Sequence, residues 1–116
     1  MVKKSDTFPQ NVYLIIDSQV YSILGEITNL GRKLDNDIVI HDEIVSRKHA
    51  KIYYESGQFV IYDKHSTSGT LVNNKKINRC VLCSGDVISL GSVEIMFVDN
   101  NQRLKEIEIA PTKSLG

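Results

Sequence analysis

Short runs of strand-like composition recur along this chain, and none of them carries the apolar repeat of about 3.6 residues that marks a helix. Turn-forming pairs such as Ser56-Gly57 and Ser84-Gly85 separate the runs. Many short strands without intervening helices predict an all-β fold, a β-sandwich of two sheets. The predicted strands are residues 12–17, 20–24, 28–32, 38–40, 50–55, 59–63, 70–72, 87–90 and 93–97.

The length of the chain fits one domain. It has 116 residues, of which 41% are hydrophobic, enough for a single core. We expect this domain at residues 11–99, preceded by a flexible arm at residues 1–10. The polar tail, residues 100–116, contains a stretch at 104–109 that fits a short helix, an added edge strand or disorder.

Charge and hydropathy argue against two classes of partner. The chain carries 14 basic and 14 acidic residues, whereas a general nucleic-acid binder depends on a basic excess. The apolar runs are far shorter than the ~20 residues that span a bilayer. The basic N-terminus is followed by Ser5-Asp6-Thr7 and not by the apolar core of a signal peptide. We therefore expect a soluble, cytoplasmic chain that binds neither nucleic acid nor membrane.

The two cysteines, Cys80 and Cys83, form a C-x-x-C motif. In an extended segment their Cα atoms would stand ~10 Å apart, beyond the roughly 7 Å that a disulfide can bridge. A zinc site needs further ligands, and the three histidines show no matching spacing. The sequence therefore predicts ordinary reduced thiols, with no metal, no cofactor and no catalytic residue. An enzyme based on thiol chemistry would require a cysteine pKa well below about 8.5.

Three short motifs lie at junctions between predicted strands. Together they offer a guanidinium, an ammonium, hydroxyl groups and backbone N–H groups next to glycines. This donor set suits a phosphate ester on a peptide, which carries ~−1.5 to −2 charges and three acceptor oxygens. The motifs are Gly31-Arg32, then Ser46-Arg47-Lys48-His49, then Ser66-Thr67-Ser68-Gly69-Thr70 followed by Val72-Asn73.

In order and spacing these motifs resemble the signature of the forkhead-associated (FHA) domain, over about residues 13–97. The strings Asp37-Ile38-Val39-Ile40 and Gly85-Asp86-Val87-Ile88 fit the same pattern. The resemblance implies an FHA/SMAD-like sandwich whose loops at one end bind a phosphothreonine-containing peptide or protein. It also implies a non-catalytic adaptor that acts downstream of a Ser/Thr kinase.

The resemblance assigns roles to individual residues. Arg32, Ser46 and Thr67 would hold the phosphate, with help from Arg47 or Lys48. His49 would be structural and brace the binding loops, although a lone histidine could also be a base or a ligand. No carboxylate or cysteine stands at a telling spacing from it, so we favour the structural role. The remaining supporting residues are Gly31, Gly69, Thr70 and Asn73.

Ser68 departs from the family pattern, which has asparagine at this position. In the family, that amide bridges to the backbone of the bound peptide. A shorter hydroxyl is expected to weaken binding by ~0.5–1.5 kcal/mol, less than the several charge-assisted bonds to phosphate contribute. Ser68 therefore predicts weaker binding and not its loss.

Ile44 lies two residues before Ser46, where the residue in related domains helps to select the third residue after the phosphothreonine. An isoleucine cannot pair with an acidic side chain, so an apolar residue is expected at that ligand position. One alternative function stays open on the sequence alone: a phosphate-independent scaffold or dimerisation domain with the same fold.

Overall fold

The structure is a computed structural model that describes residues 8–101. Within these residues, eleven β-strands form two sheets, which confirms the predicted all-β sandwich. The strands are β1 (Val12–Ile16), β2 (Gln19–Ser22), β3 (Ile27–Gly31), β4 (Ile38–Val39), β5 (Ala50–Glu55), β6 (Gln58–Asp63), β7 (Thr70–Val72), β8 (Lys75–Ile77), β9 (Arg79–Val81), β10 (Val87–Leu90) and β11 (Val93–Asp99).

The first sheet has the strand order β2-β1-β11-β10-β7-β8, and the second has the order β4-β3-β5-β6-β9. The pair β3–β4 is parallel, and the other recorded pairs are antiparallel. Buried residues alternate with more exposed ones in β1, β5 and β11, as a half-buried sheet requires. Phe97 and Phe59, from opposite sheets, meet in the core with ring centroids 5.5 Å apart.

Three tight hairpins use left-handed turn residues. Asp17-Ser18, Ser56-Gly57 and Asn73-Asn74 all have positive φ at both positions. Two consecutive positive-φ residues match the twist of the flanking strands, which is why asparagine, aspartate and glycine favour such turns. Asn74 lies in the left-handed region, with φ at 69°.

Two strands, β8 and β9, were not predicted. Both lie at sheet edges, and Lys75, Lys76 and Arg79 are exposed. An edge strand buries little of its surface, so its sequence need not show the alternation by which strands are recognised. The predicted arm and tail fall mostly outside the described residues. Phe8, at the end of the predicted arm, packs edge-on against Tyr54 with centroids 5.2 Å apart.

The register of the sheets brings distant loops to one end of the sandwich. In the second sheet Leu30 pairs with Ala50, and Ala50 pairs with Asp63. The end of β3, the start of β5 and the end of β6 are therefore neighbours. The connections that leave these points are the β3–β4 loop (residues 32–37), the β4–β5 loop (residues 40–49) and the β6–β7 loop (residues 64–69). We call them together the loop cluster.

Candidate functional site

Backbone hydrogen bonds join the members of the loop cluster. The N–H of Arg32 donates to the carbonyl of Ser46 over 3.0 Å, and the N–H of Lys33 donates to the carbonyl of Arg47 over 3.2 Å. The N–H of Lys64 reaches the carbonyl of His49 over 2.9 Å. The loops that carry Gly31-Arg32, Ser46–His49 and Ser66–Thr70 therefore meet in one place, on a framework set by the second sheet.

Arg32 extends from the end of β3 and is exposed. Its Nε–H donates to the carbonyl of Val45 over 3.0 Å, which orients the guanidinium. Among residues 8–101 no other acceptor is bonded to this side chain, so its terminal nitrogens remain available. A guanidinium oriented in this way can present two parallel N–H groups to phosphate oxygens.

Ser46 and Thr67 come from different loops and are hydrogen-bonded to each other. The Ser46 hydroxyl oxygen accepts from the backbone N–H of Thr67 over 3.0 Å. The hydroxyl proton of Ser46 stays free to donate, and Thr67 is exposed with its hydroxyl unbonded to any residue in the range 8–101. The hydroxyls of Ser46 and Thr67 can thus both donate to a ligand at the loop cluster.

His49 is fully buried and connects two loops through its ring. The backbone N–H of Ser46 donates to Nδ1 over 3.0 Å, so Nδ1 carries no proton. Nε2 therefore carries the proton and donates to the carbonyl of Gly69 over 2.8 Å. With both nitrogens occupied inside the protein, the ring has no free lone pair for a metal or for general-base catalysis.

Gly31 is required by a close approach of the β4–β5 loop. A Cβ atom at this position would lie 2.2 Å from the carbonyl oxygen of Arg47 and 2.9 Å from the amide nitrogen of Asn36. The buried Asn36 amide donates to the carbonyls of Lys33 and Arg47, at 2.8 Å each. Asn36 lies in none of the three sequence motifs, and its bracing of two loops shows only in three dimensions.

Asp63, at the end of β6, is a second residue that the sequence analysis missed. Its Oδ1 accepts from the Ser66 hydroxyl over 2.5 Å and from the Thr70 hydroxyl over 2.7 Å. Partial burial alone would raise the pKa of the Asp63 carboxyl, but the hydrogen bonds from Ser66 and Thr70 outweigh it and lower the pKa. The Ser66 hydroxyl in turn accepts from the N–H of Gly69 over 2.9 Å. Asp63 therefore fixes the conformation of the β6–β7 loop through hydrogen bonds to residues at both ends of its Ser66–Thr70 segment.

Ser68 is exposed, and its hydroxyl donates to the carbonyl of Ile44 over 3.2 Å. This bond joins the β6–β7 loop to the β4–β5 loop and uses the only proton that the side chain can donate. Ile44 is itself 57% exposed at the loop cluster. Ser68 therefore offers an approaching peptide an acceptor oxygen but no free donor.

The basic residues of the loop cluster differ in their surroundings. Lys48 Nζ lies 2.9 Å from Asp35 Oδ1, and Lys33 Nζ lies 3.8 Å from Asp35 Oδ2. The hydrogen bond from Lys48 lowers the pKa of the Asp35 carboxyl. Arg47 is exposed, and within residues 8–101 its side chain has no recorded partner. Arg47 is therefore better placed than Lys48 to assist with an anion.

Asn73 is not brought to the loop cluster. It lies beyond the far end of β7, where its side chain accepts from the N–H of Val87 over 3.0 Å and donates to Asp86 over 2.9 Å. It stabilises a turn at the opposite end of the sandwich. Its expected support of the site can act only through strand β7.

The two cysteines are free thiols. Cys80 is half-buried on β9 and Cys83 is exposed, and neither is in a disulfide. Burial, followed by the negative charge of Asp86, raises the pKa of the Cys80 thiol. A raised pKa is the opposite of what a reactive cysteine needs. In the part of the chain that the structure describes, no three His, Cys, Asp or Glu side chains form a group that could hold a metal.

One further property concerns membranes. Between residues 8 and 101 there is no helix with the length and apolar character needed to cross a bilayer.

Fold and site together define a class of protein: a β-sandwich with a cluster of donor-rich loops at one end. Comparison with known proteins narrows this class. The FHA domain profile matches residues 28–91, which is more than half of the chain. The chain belongs to the FHA domain family.

Individual relatives agree with this assignment. The glycogen accumulation regulator GarA of Mycolicibacterium smegmatis is 38% identical over 71 residues, covering 61% of this chain and 45% of GarA. Two solved structures superpose well. One, from work on phosphothreonine-dependent FHA domain interactions, has a TM-score of 0.71, 33% identity and coverage of 75% of this chain and 94% of that one. The other is Mycobacterium tuberculosis EmbR in complex with a low-affinity phosphopeptide, with a TM-score of 0.76, 31% identity and coverage of 84% and 26%.

The chain spans from a tenth to about half of the length of the curated relatives that it matches. The activities and partners of those whole proteins therefore do not transfer to it directly.

Proposed function

We propose that this chain is a phosphothreonine-peptide recognition module that acts as a non-catalytic adaptor in Ser/Thr kinase signalling. The observation that carries the proposal is the convergence of Arg32, Ser46 and Thr67 from three separate loops. Each offers donors at the loop cluster, and hydrogen bonds to Val45, His49 and Ser46 hold the loops in place. FHA domains of known structure whose interactions depend on phosphothreonine support the assignment.

In the proposed binding mode, one set of residues contacts the phosphate and a second set positions the loops. Arg32 supplies the charge and two parallel donors to the phosphate, and the hydroxyls of Ser46 and Thr67 complete the set. Arg47 adds an exposed positive charge at the rim. His49, Gly31 and Gly69 touch no ligand in this scheme and act by keeping the loops in register.

In this proposal the rest of the peptide is bound more weakly than the phosphate group. Ser68 replaces the family asparagine, and its proton is already directed to the Ile44 carbonyl. Ile44 presents an apolar surface, and we propose that it favours an apolar residue at the third position after the phosphothreonine. The upstream partner is a Ser/Thr kinase, and the downstream partner is the phosphorylated protein. We place this role in the cytoplasm, where Cys80 and Cys83 would remain reduced.

A titration with phosphothreonine peptide libraries tests the proposal. Matched phosphoserine and unphosphorylated libraries are the ligand controls, and Arg32→Ala and Arg32→Lys are the test variants. Binding confined to phosphothreonine, abolished by alanine and weakened at least tenfold by lysine, is expected, because an ammonium cannot reproduce the planar fork.

The absence of binding to every library by a folded protein would contradict the proposal. That result would favour the alternative, a phosphate-independent scaffold or dimerisation domain. Analytical ultracentrifugation of the same samples measures self-association directly and separates the scaffold from the dimer.

A further inference from the structure

Lys76, on the edge strand β8, extends along the outer face of the first sheet toward the loop cluster. It pairs across the ladder with Leu71. A Cβ atom built on Gly69 would lie 2.9 Å from the Lys76 Cε atom and 3.6 Å from its Nζ atom. The ammonium therefore lies beside the segment that carries Thr67 and Ser68, although Lys76 is in no sequence motif.

Gly69 makes this position possible. It has a φ of 89°, a conformation that L side chains resist, and its missing side chain leaves the space that the Lys76 stem fills. Gly69 also receives the hydrogen bond from His49 Nε2 on its carbonyl. Gly69 thus has two roles. Its carbonyl accepts the hydrogen bond from the buried His49, and the absence of a Cβ atom lets the Lys76 side chain pack against it.

Like Arg32 and Arg47, Lys76 has no carboxylate partner among residues 8–101, whereas three other cations are paired. Lys33 and Lys48 both pair with Asp35. Arg79 lies 3.9 Å from Glu55. Lys76 is exposed, and no carboxylate within residues 8–101 lies within salt-bridge distance of it. Its full charge is therefore available to an anion held at the loop cluster.

We propose that Lys76 is a specificity-determining residue that pairs with an anion on the bound phosphopeptide. This inference rests on the proposed function. The anion is either an acidic side chain next to the phosphothreonine or the phosphate itself. Both sources share the same chemistry, a negatively charged oxygen close to Gly69. The alternative role is that of a solvated lysine that protects a sheet edge from pairing with another chain.

The test compares Lys76→Met with wild-type protein. Methionine keeps an unbranched apolar stem over Gly69 and removes only the charge. Lys75→Met is the matched control, because Lys75 is the preceding residue on the same edge strand and its side chain points to the other side of the ladder. Lys76→Arg keeps the charge. Thermal unfolding of each variant verifies that the fold is unchanged.

Each protein is titrated at low salt with phosphothreonine peptides that carry aspartate or alanine at the positions flanking the phosphothreonine. We expect Lys76→Met to weaken binding about two- to fivefold, as for an exposed ion pair. Lys76→Arg should restore the affinity, Lys75→Met should leave it unchanged, and added salt should reduce the difference. A loss seen only with one aspartate position identifies a flanking carboxylate; an equal loss with every peptide identifies the phosphate.

Equal affinities of wild-type protein and Lys76→Met for all peptides would overturn the inference and leave the proposed function intact. A loss of the same size in Lys75→Met would also overturn it, because the effect would then come from general surface charge. Wild-type protein that binds no phosphopeptide would contradict the proposed function and this inference together, so the two failures are distinguishable.

Discussion

The backbone N–H of Ser46 donates to Nδ1 of His49 over 3.0 Å, although the two residues are only three apart in the chain. This short-range bond has a long-range consequence. By occupying Nδ1 it places the proton on Nε2, which then reaches Gly69, twenty residues further along. One neutral imidazole therefore sets the relative positions of the two loops that carry Ser46 and Thr67.

Replacement of His49 by alanine should reduce both stability and peptide binding. The variant leaves the Ser46 N–H and the Gly69 carbonyl without partners in a buried site, and each unsatisfied group costs ~1–3 kcal/mol. We expect a loss of about 2–4 kcal/mol in the free energy of unfolding, measured with urea. Peptide titration at a temperature where the variant is folded should also show weaker binding. A stability change below about 0.5 kcal/mol would contradict the bracing role.

Gly31→Ala should be strongly destabilising, because its Cβ would lie 2.2 Å from the carbonyl oxygen of Arg47. Overpacking of this kind typically costs ~1–3 kcal/mol and would displace the β4–β5 loop that carries Arg47. Gly25→Ala is the matched control, since a Cβ there would meet nothing within 4 Å. Thermal unfolding of both variants measures the contrast. Equal unfolding midpoints for the two would show that the β4–β5 loop moves aside without cost.

Ser68→Asn is expected to strengthen binding of a phosphothreonine peptide. The amide offers donors in addition to an acceptor, whereas the serine proton is directed to the Ile44 carbonyl. One added hydrogen bond corresponds to ~0.5–1.5 kcal/mol, or roughly a three- to tenfold gain in affinity by calorimetry. Ser68→Ala removes the hydroxyl without adding an amide. It therefore separates the loss of the bond to the Ile44 carbonyl from the gain of a new donor. If asparagine and alanine variants bind equally, position 68 makes no polar contact with the peptide.

Acid should destabilise the β6–β7 loop through Asp63. Its pKa is lower in the folded protein than in the unfolded chain, because the hydrogen bonds from Ser66 and Thr70 outweigh partial burial. The unfolded chain therefore binds the proton first as the pH falls. The stabilisation is complete above about pH 5 and is lost as the pH falls through about 4 toward the lower folded value.

Urea unfolding of wild-type protein and Asp63→Asn at neutral pH and near pH 3 measures this contribution. The variant should be less stable at neutral pH, and the difference between the two proteins should shrink in acid. A difference that stays constant across this range would show that ionisation of Asp63 contributes nothing.

Much of the fold follows from local sequence. Alternating apolar residues in the central strands predict which face is buried, and turns such as Ser56-Gly57 predict hairpins, because both effects act over a few residues. Strands β8 and β9 escaped prediction for the same reason. Their residues are mostly exposed at sheet edges, so no periodic pattern of burial distinguishes them from a loop.

The sequence by itself determined the sandwich and the identity of Arg32, Ser46 and Thr67 as candidate phosphate ligands, since these features lie within short motifs of a recurrent order. Only the tertiary structure decided how the motifs are held and what surrounds them. Asn36, Asp63 and Lys76 reach the loop cluster, whereas Asn73 lies at the opposite end of the sandwich. The reason is physical. Strand pairing and register bring residues far apart in the chain into contact, and local sequence patterns do not specify which strands are neighbours.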